Sequence, residues 1–309
     1  MIFFFYYLSL AIHSSEGWLK LQSEHFQISY MKEDEKIAKE ILLHAEASWS
    51  SIAVHMGKDP SHKGIVLIYL PSREEDFDQL TRRGVPDWGI GCALPLENTI
   101  VLKSPRLIGK SPDLPSLIAH ENSHILLYDQ VKAKDSSPSK SEERTDPIPR
   151  WFDEGLAMFE SKEWRKGETL SLAWSVITHS LLPLSSLETH FPTNERKAHL
   201  AYLESFSTIN YLLDEYGEEG LRRLLHSLAH SSDFESALVE SLGLTLKEFE
   251  NEWFFYLQSR YNAFYLLSDT GILWGVISLL FLFVLILKTI QIRRKKRRLE
   301  NEDWATDES

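Results

Sequence analysis

The chain has 309 residues, of which 43% are hydrophobic and 12% aromatic, enough to bury the core of one large domain or two small ones. A formal net charge of −12 argues against a nucleic-acid partner, because phosphate backbones are held by a basic face. The single cysteine, Cys92, excludes an internal disulfide framework and a cysteine-rich zinc module, and beside Gly91 and Ala93 it is expected as a small buried residue.

Residues 2–12, IFFFYYLSLAI, form an apolar run too short to span a bilayer. It reads as the core of a signal peptide over residues 1–15, although no Lys or Arg precedes it. WLKLQSEHFQISY (18–30) alternates like a half-buried strand. Over 33–57, Ile37, Ala38, Ile41, Leu42, Ala45, Trp49, Ile52, Ala53 and Met56 recur at helical spacing, and Gly57 ends the pattern. GIVLIYL (64–70) is a buried strand, a short helix is predicted near 72–83, and NTIVLKS (98–104) is a further strand. Beyond Pro112 the predicted character is mostly helical. One helix covers about 114–129, with Asp113 able to cap it and Pro115 in its first turn. VKAKDSSPSKSEERTDPIP (131–149) has no periodicity and is expected as a long loop. Further helices are expected near 150–160, 197–216, 218–229, 233–241 and 245–264.

Residues 271–287, GILWGVISLLFLFVLIL, carry no charge, and extension to 290 makes them long enough to cross a membrane. The run Arg293-Arg294-Lys295-Lys296-Arg297-Arg298 follows directly, and the positive-inside rule assigns it to the cytoplasm. From Lys288 onward there are 7 basic and 5 acidic residues, whereas the preceding part is acidic with a net charge of −14. The expected arrangement is a domain over 16–265 outside the inner membrane, a single-pass helix over 271–290 and a basic cytoplasmic tail over 291–309.

The chemistry concentrates in LIAHENSHILLYDQ (117–130). Histidines four apart stand one turn apart on a helix, so both imidazoles can reach one ion. At about 100° per residue, His120, Glu121 and His124 all fall within roughly 60° of Leu117, on the apolar side. Three titratable groups on a buried face need compensation, which a divalent metal provides. Chance produces H-E-x-x-H in roughly 0.04 of chains of this composition, so the pattern requires a third ligand to be persuasive. PRWFDEGLAMFES (149–161) supplies a candidate: Glu154 sits at the margin of a stripe made by Trp151, Phe152, Leu156 and Phe159. The alternative is a solvated surface glutamate. Gly155 favours the ligand, because a helix glycine costs about 1 kcal/mol relative to alanine and suggests close approach of another element. Asp153 is either a partner for one histidine or a surface aspartate.

HENSH followed by WFDEGLAMFES resembles the gluzincin metallopeptidases, specifically the peptidase-MA-like family, with an H-E-x-x-H helix and a downstream W-x-x-E-G-x-A stretch. SEHFQISY, AYLESFSTINYLLDEYG (201–217) and GLTLKEFENEWFFYL (243–257) extend the likeness over roughly 18–260. The resemblance implies an α+β zincin-like fold, a twisted sheet with helices followed by a helical part, with the metal between them. It also implies one Zn2+ ion held by His120, His124 and Glu154, with Glu121 as general base in peptide-bond hydrolysis. Tyr202 is the implied oxyanion partner, or else a core tyrosine beside Phe206 and Ile209. NTIVLKS is implied as the edge strand along which a peptide or protein substrate pairs. Thermolysin-type relatives carry an aspartate where this chain has Met158, so groups supporting the ligands must come from elsewhere. A silent zincin-fold binding module of the cell envelope is the alternative function, and nothing in the sequence separates endopeptidase from exopeptidase.

Overall fold

The computed structural model describes residues 17–61, 64–82, 89–109, 112–132, 148–164 and 167–261, with a last helix whose side chains are described over 274–296. The expected signal segment and residues 133–147 of the expected loop lie outside the described residues. The chain divides into two compact units, one made by residues up to 172 together with 181–256, the other by 173–180 together with 257–309.

The first unit is built on a five-stranded mixed sheet. The expected single strand over 18–30 is a hairpin: β1 (Leu19–Gln22) and β2 (Phe26–Tyr30) are antiparallel, and Ser23 N–H donates to Phe26 O at 2.8 Å to make the turn. β3 (Val66–Leu70) pairs parallel with β2 after the crossover helix α1 (Glu35–His55). A short helix α2 (Glu74–Leu80) leads to β4 (Gly91–Leu94) and β5 (Thr99–Leu102), which are antiparallel to each other. The spatial order is β1-β2-β3-β5-β4.

This order corrects one expectation. NTIVLKS is not at the sheet edge; β5 lies between β3 and β4, and β4 is the edge strand on that side. The physical reason is visible in the composition of the strand. All four residues of TIVL are buried, as an interior strand covered on both faces requires. GCAL, which did not stand out as a strand, is half-buried along its whole length.

α1 covers the sheet as its spacing predicts, burying Ala38, Ile41, Leu42, Ala45, Trp49, Ile52 and Ala53. Each large side chain in that set contributes about 1.5–3 kcal/mol of burial. Trp49 meets Phe26 edge-on at 5.4 Å and stacks on His25 at 5.8 Å, tying the helix to β2.

The remaining helices are α3 (Pro105–Ile108), α4 (Leu114–Lys132), α5 (Arg150–Ser161), α6 (Glu168–Ile177), α7 (Glu195–Leu228), α8 (Phe234–Leu242) and α9 (Leu246–Arg260). α7 is two helices joined end to end at Gly217, whose φ of 69° and ψ of 178° separate the two helices expected there. Tyr211 and Tyr216, on the turns before the break, both donate to Glu252 Oε2 of α9, at 2.6 and 2.9 Å. α6 was not expected from the sequence.

α10 (Thr270–Asp307) contains the stretch Trp274–Lys296, within which an 18-residue window reaches a mean hydropathy of 2.3. Its length and composition suffice to cross a membrane. The helix runs past the expected end at 290 and carries the basic run with it.

Candidate metal centre

α4 places the two histidines and Glu121. Its start follows the expected signals: Asp113 Oδ1 accepts a long 3.5 Å bond from Ser116 N–H, and Asp113 O accepts from Leu117 N–H at 2.9 Å. The helix is not amphipathic in its middle, however, because residues 121–127 are all buried. α4 packs against α1, α5, α7 and β4, so polar residues occur on several faces and each needs a partner. Asn122 faces α1, where its Nδ2 donates to Ala45 O at 3.1 Å and Ser48 Oγ at 2.8 Å. That accounts for one polar residue inside the motif.

α5 begins after Pro149, with Arg150 N–H donating to Glu188 O at 2.7 Å. It crosses α7 at Gly155, where a Cβ would stand 2.3 Å from Ser205 O and 3.0 Å from Ile209 Cγ1. The close approach suggested by a glycine in this helix is therefore present. It brings Glu154, one residue earlier, beneath the histidine rings.

Ligand atoms of His120, His124 and Glu154 all lie within 4.8 Å of one another. Glu154 Oε2 is 3.5 Å from His120 Nε2 and 4.0 Å from His124 Nε2. The other face of each imidazole meets a second carboxylate. His124 Nδ1 bonds to Asp153 Oδ1 at 2.6 Å, so Asp153 is a histidine partner rather than a surface residue. His120 Nδ1 lies 3.2 Å from Glu163 Oε1, at ion-pair distance but out of line for a hydrogen bond. Glu163 reaches it because Lys162 takes the left-handed conformation (φ 57°, ψ 38°) and turns the chain back at the end of α5. The bond to Asp153 fixes the His124 ring, Glu163 sets a negative charge beside His120 Nδ1, and both Nε2 atoms are left toward Glu154. Arg150, one turn before Glu154, donates through Nη2 to Glu154 Oε1 at 3.1 Å.

The charges agree with this geometry. Burial opposes protonation of both imidazoles, but Glu154 and Glu163 around His120, and Asp153 beside His124, outweigh it and raise both pKa values. Burial would likewise raise Glu154, yet His120, His124 and Arg150 bring its pKa down to about 2. A divalent cation would displace the imidazole protons, which is how metal binding and pKa are ordinarily linked. Two neutral imidazole nitrogens and one carboxylate oxygen converging in a buried place suit a borderline-soft divalent ion such as zinc.

Glu121 lies between β4 and that convergence, within reach of the charges of His120, His124 and Glu154. A Cβ on Gly91 would stand 2.7 Å from Glu121 Oε1. Burial raises the pKa of Glu121, while both histidines and the Ala93 backbone N–H work in the opposite direction. Cys92 is pushed up to about 12 by burial and then by the charges of Glu121 and Glu154, so it stays a thiol. Tyr202, on α7, packs edge-on to Phe191 at 4.8 Å, and its hydroxyl faces the Arg150 guanidinium. Burial and the charge of Glu154 raise it to about 12. Tyr202 is therefore beside Glu154 and Arg150.

Sequence reasoning did not single out Arg150 or Glu163. The i, i+4 spacing of Arg150 and Glu154 was available as a signal. The approach of Glu163 depends on the left-handed turn at Lys162, for which a lysine gives no cue.

The sequence profile of the Peptidase MA superfamily matches residues 81–259. An uncharacterized protein of Bacillus subtilis (strain 168), YhcO, is 29% identical over 140 residues, which are 44% of this chain and 39% of YhcO. A crystal structure of a two-domain M1 zinc metallopeptidase mutant bound to L-arginine aligns with a TM-score of 0.41 at 15% identity, over 75% of this chain and 48% of that one. The chain thus spans less than half the length of either relative.

Proposed function

From the Peptidase MA superfamily, to which this chain belongs, we propose that it is a membrane-anchored, zinc-dependent metallopeptidase of zincin-like fold that hydrolyses peptide bonds. The observation that carries this is the convergence of ligand atoms of His120, His124 and Glu154 within 4.8 Å of one another, with a carboxylate beside Nδ1 of each imidazole. These three residues would hold one Zn2+ ion. Zinc there would act as a Lewis acid on the scissile carbonyl and on the attacking water.

The protein's own groups do the rest. Glu121 takes the proton of the attacking water and delivers it to the leaving amine, which requires a carboxylate with a pKa above its ordinary value. Burial supplies that direction. Tyr202 offers a hydroxyl that stays protonated at neutral pH and can donate to the developing oxyanion. β4, the edge strand beside Glu121, offers a sheet edge along which an extended peptide substrate can pair. Asp153 and Glu163 orient the two imidazoles, in the role that Met158 cannot fill. The apolar length of α10 and the basic run after it support anchoring in the inner membrane, with the large acidic part outside and the C-terminus in the cytoplasm.

The test uses the full chain purified in detergent. Elemental analysis should find one zinc per chain, and Glu121→Gln should keep the zinc while cleaving a peptide library about 10²–10⁴ times more slowly. Equal cleavage by Glu121→Gln refutes the mechanism. Stoichiometric zinc with no cleavage by the wild-type chain would favour a silent zincin-fold binding module.

A further inference from the structure

We propose that Arg150 is a positioning residue for this centre: it occupies one oxygen of Glu154, so that the other oxygen alone is presented to the ion. This rests on the metallopeptidase reading above and deepens it. A free carboxylate can bind a divalent ion through one oxygen or both. Binding through both raises the coordination number and fills the position that an open catalytic site needs. Here Oε1 is taken by Arg150 Nη2 at 3.1 Å, while Oε2 is the atom 3.5 and 4.0 Å from the two Nε2 atoms.

Arg150 is itself held in place. Its guanidinium lies over the Phe191 ring at 5.2 Å, and Phe191 packs edge-on to Tyr202. The segment leading to Phe191 is pinned by two glutamates: Glu204 Oε1 accepts from Leu182 N–H at 2.9 Å, and Glu250 Oε1 from Leu184 N–H at 2.6 Å. The Arg150 backbone N–H binds Glu188 O in the same segment. The side chain is 44% exposed, so its remaining donors are not sealed in. Arginine suits the task because its planar fork can serve Glu154 and the Tyr202 hydroxyl together, whereas lysine offers a point charge. The permanent cation also offsets some of the negative charge of Glu154 and Asp153.

The experiment compares full-length wild type, Arg150→Gln, Arg150→Ala and Arg150→Lys. Zinc affinity is measured by chelator competition, and the visible absorption of the cobalt-substituted protein reports coordination number, four-coordinate Co2+ absorbing more strongly than five- or six-coordinate. We expect Arg150→Gln and Arg150→Ala to weaken zinc by about 10–100-fold and to lower the cobalt absorption. Millimolar guanidinium should restore affinity to Arg150→Ala, and Arg150→Lys should lie between wild type and Arg150→Gln. Unchanged affinity and spectrum in Arg150→Gln would overturn the proposal, as would a loss that guanidinium does not rescue, since a merely structural defect is not repaired that way. A wild-type chain that takes up neither zinc nor cobalt refutes the metallopeptidase reading itself, which separates the two failures.

Discussion

Gly155→Ala perturbs the helix crossing that carries Glu154. The new Cβ would meet Ser205 O at 2.3 Å, Ser205 C at 2.7 Å and Ile209 Cγ1 at 3.0 Å. An ordinary carbon–oxygen contact is about 3.3 Å, so α5 and α7 must part by about 1 Å here. The obstacle is backbone carbonyl in the middle of a helix, and no side-chain rotation relieves it. Overpacking of this kind costs about 1–3 kcal/mol, and alanine returns up to about 1 kcal/mol of helix propensity. The net loss is about 1–2 kcal/mol, or a fall in Tm of roughly 2–8 °C for a unit of this size. Displacement of the neighbouring Glu154 should also weaken zinc about tenfold or more, because Oε2 leaves the common point. Thermal melts and chelator competition measure both effects. Gly167→Ala is the control, since among the described residues no atom beyond its chain neighbours lies within 4 Å of its added Cβ. A Gly155→Ala protein as stable as Gly167→Ala, with wild-type zinc affinity, would refute this account of the crossing.

Two further outcomes are expected. Asp153→Asn keeps the shape beside His124 Nδ1 but removes the charge, and it should weaken zinc about 10–100-fold with little change in melting temperature; wild-type affinity would show that Asp153 is only a neighbour. Glu204 is fully buried, its Oε2 has no hydrogen-bond partner among the described residues, and burial raises its pKa to about 8. The folded protein therefore keeps a proton that the unfolded chain has released above its ordinary value of 4.5, and stability falls as pH rises between about 4.5 and 8. Glu204→Gln, which retains the acceptor for Leu182 N–H, should remove that slope, gaining on the order of 3 kcal/mol at pH 7 and nothing near pH 4. Parallel denaturation curves of the two proteins across this range would contradict it.

What could be read from the chain alone was set by local periodicity. Helical spacing places His120, Glu121 and His124 on one side of α4, the stripe of α5 leaves Glu154 at its margin, and an uncharged run of membrane length marks α10. The helix break in α7 was legible too, because glycine at 217 tolerates a positive φ at little cost. Strand order was not, since a strand's neighbours are chosen by contacts distant in sequence; TIVL became interior only when β3 and GCAL closed on either side of it. The supporting groups were only half legible for the same reason: Asp153 stood as one of two readings, and Glu163 gave no sign. Asp153 faces His124 across 29 positions, and Glu163 meets His120 only after the chain reverses at Lys162. Spacing along one helix follows from a fixed rotation per residue. The distance between side chains on different elements follows from how those elements pack, and here that packing turns on the absent side chain of Gly155.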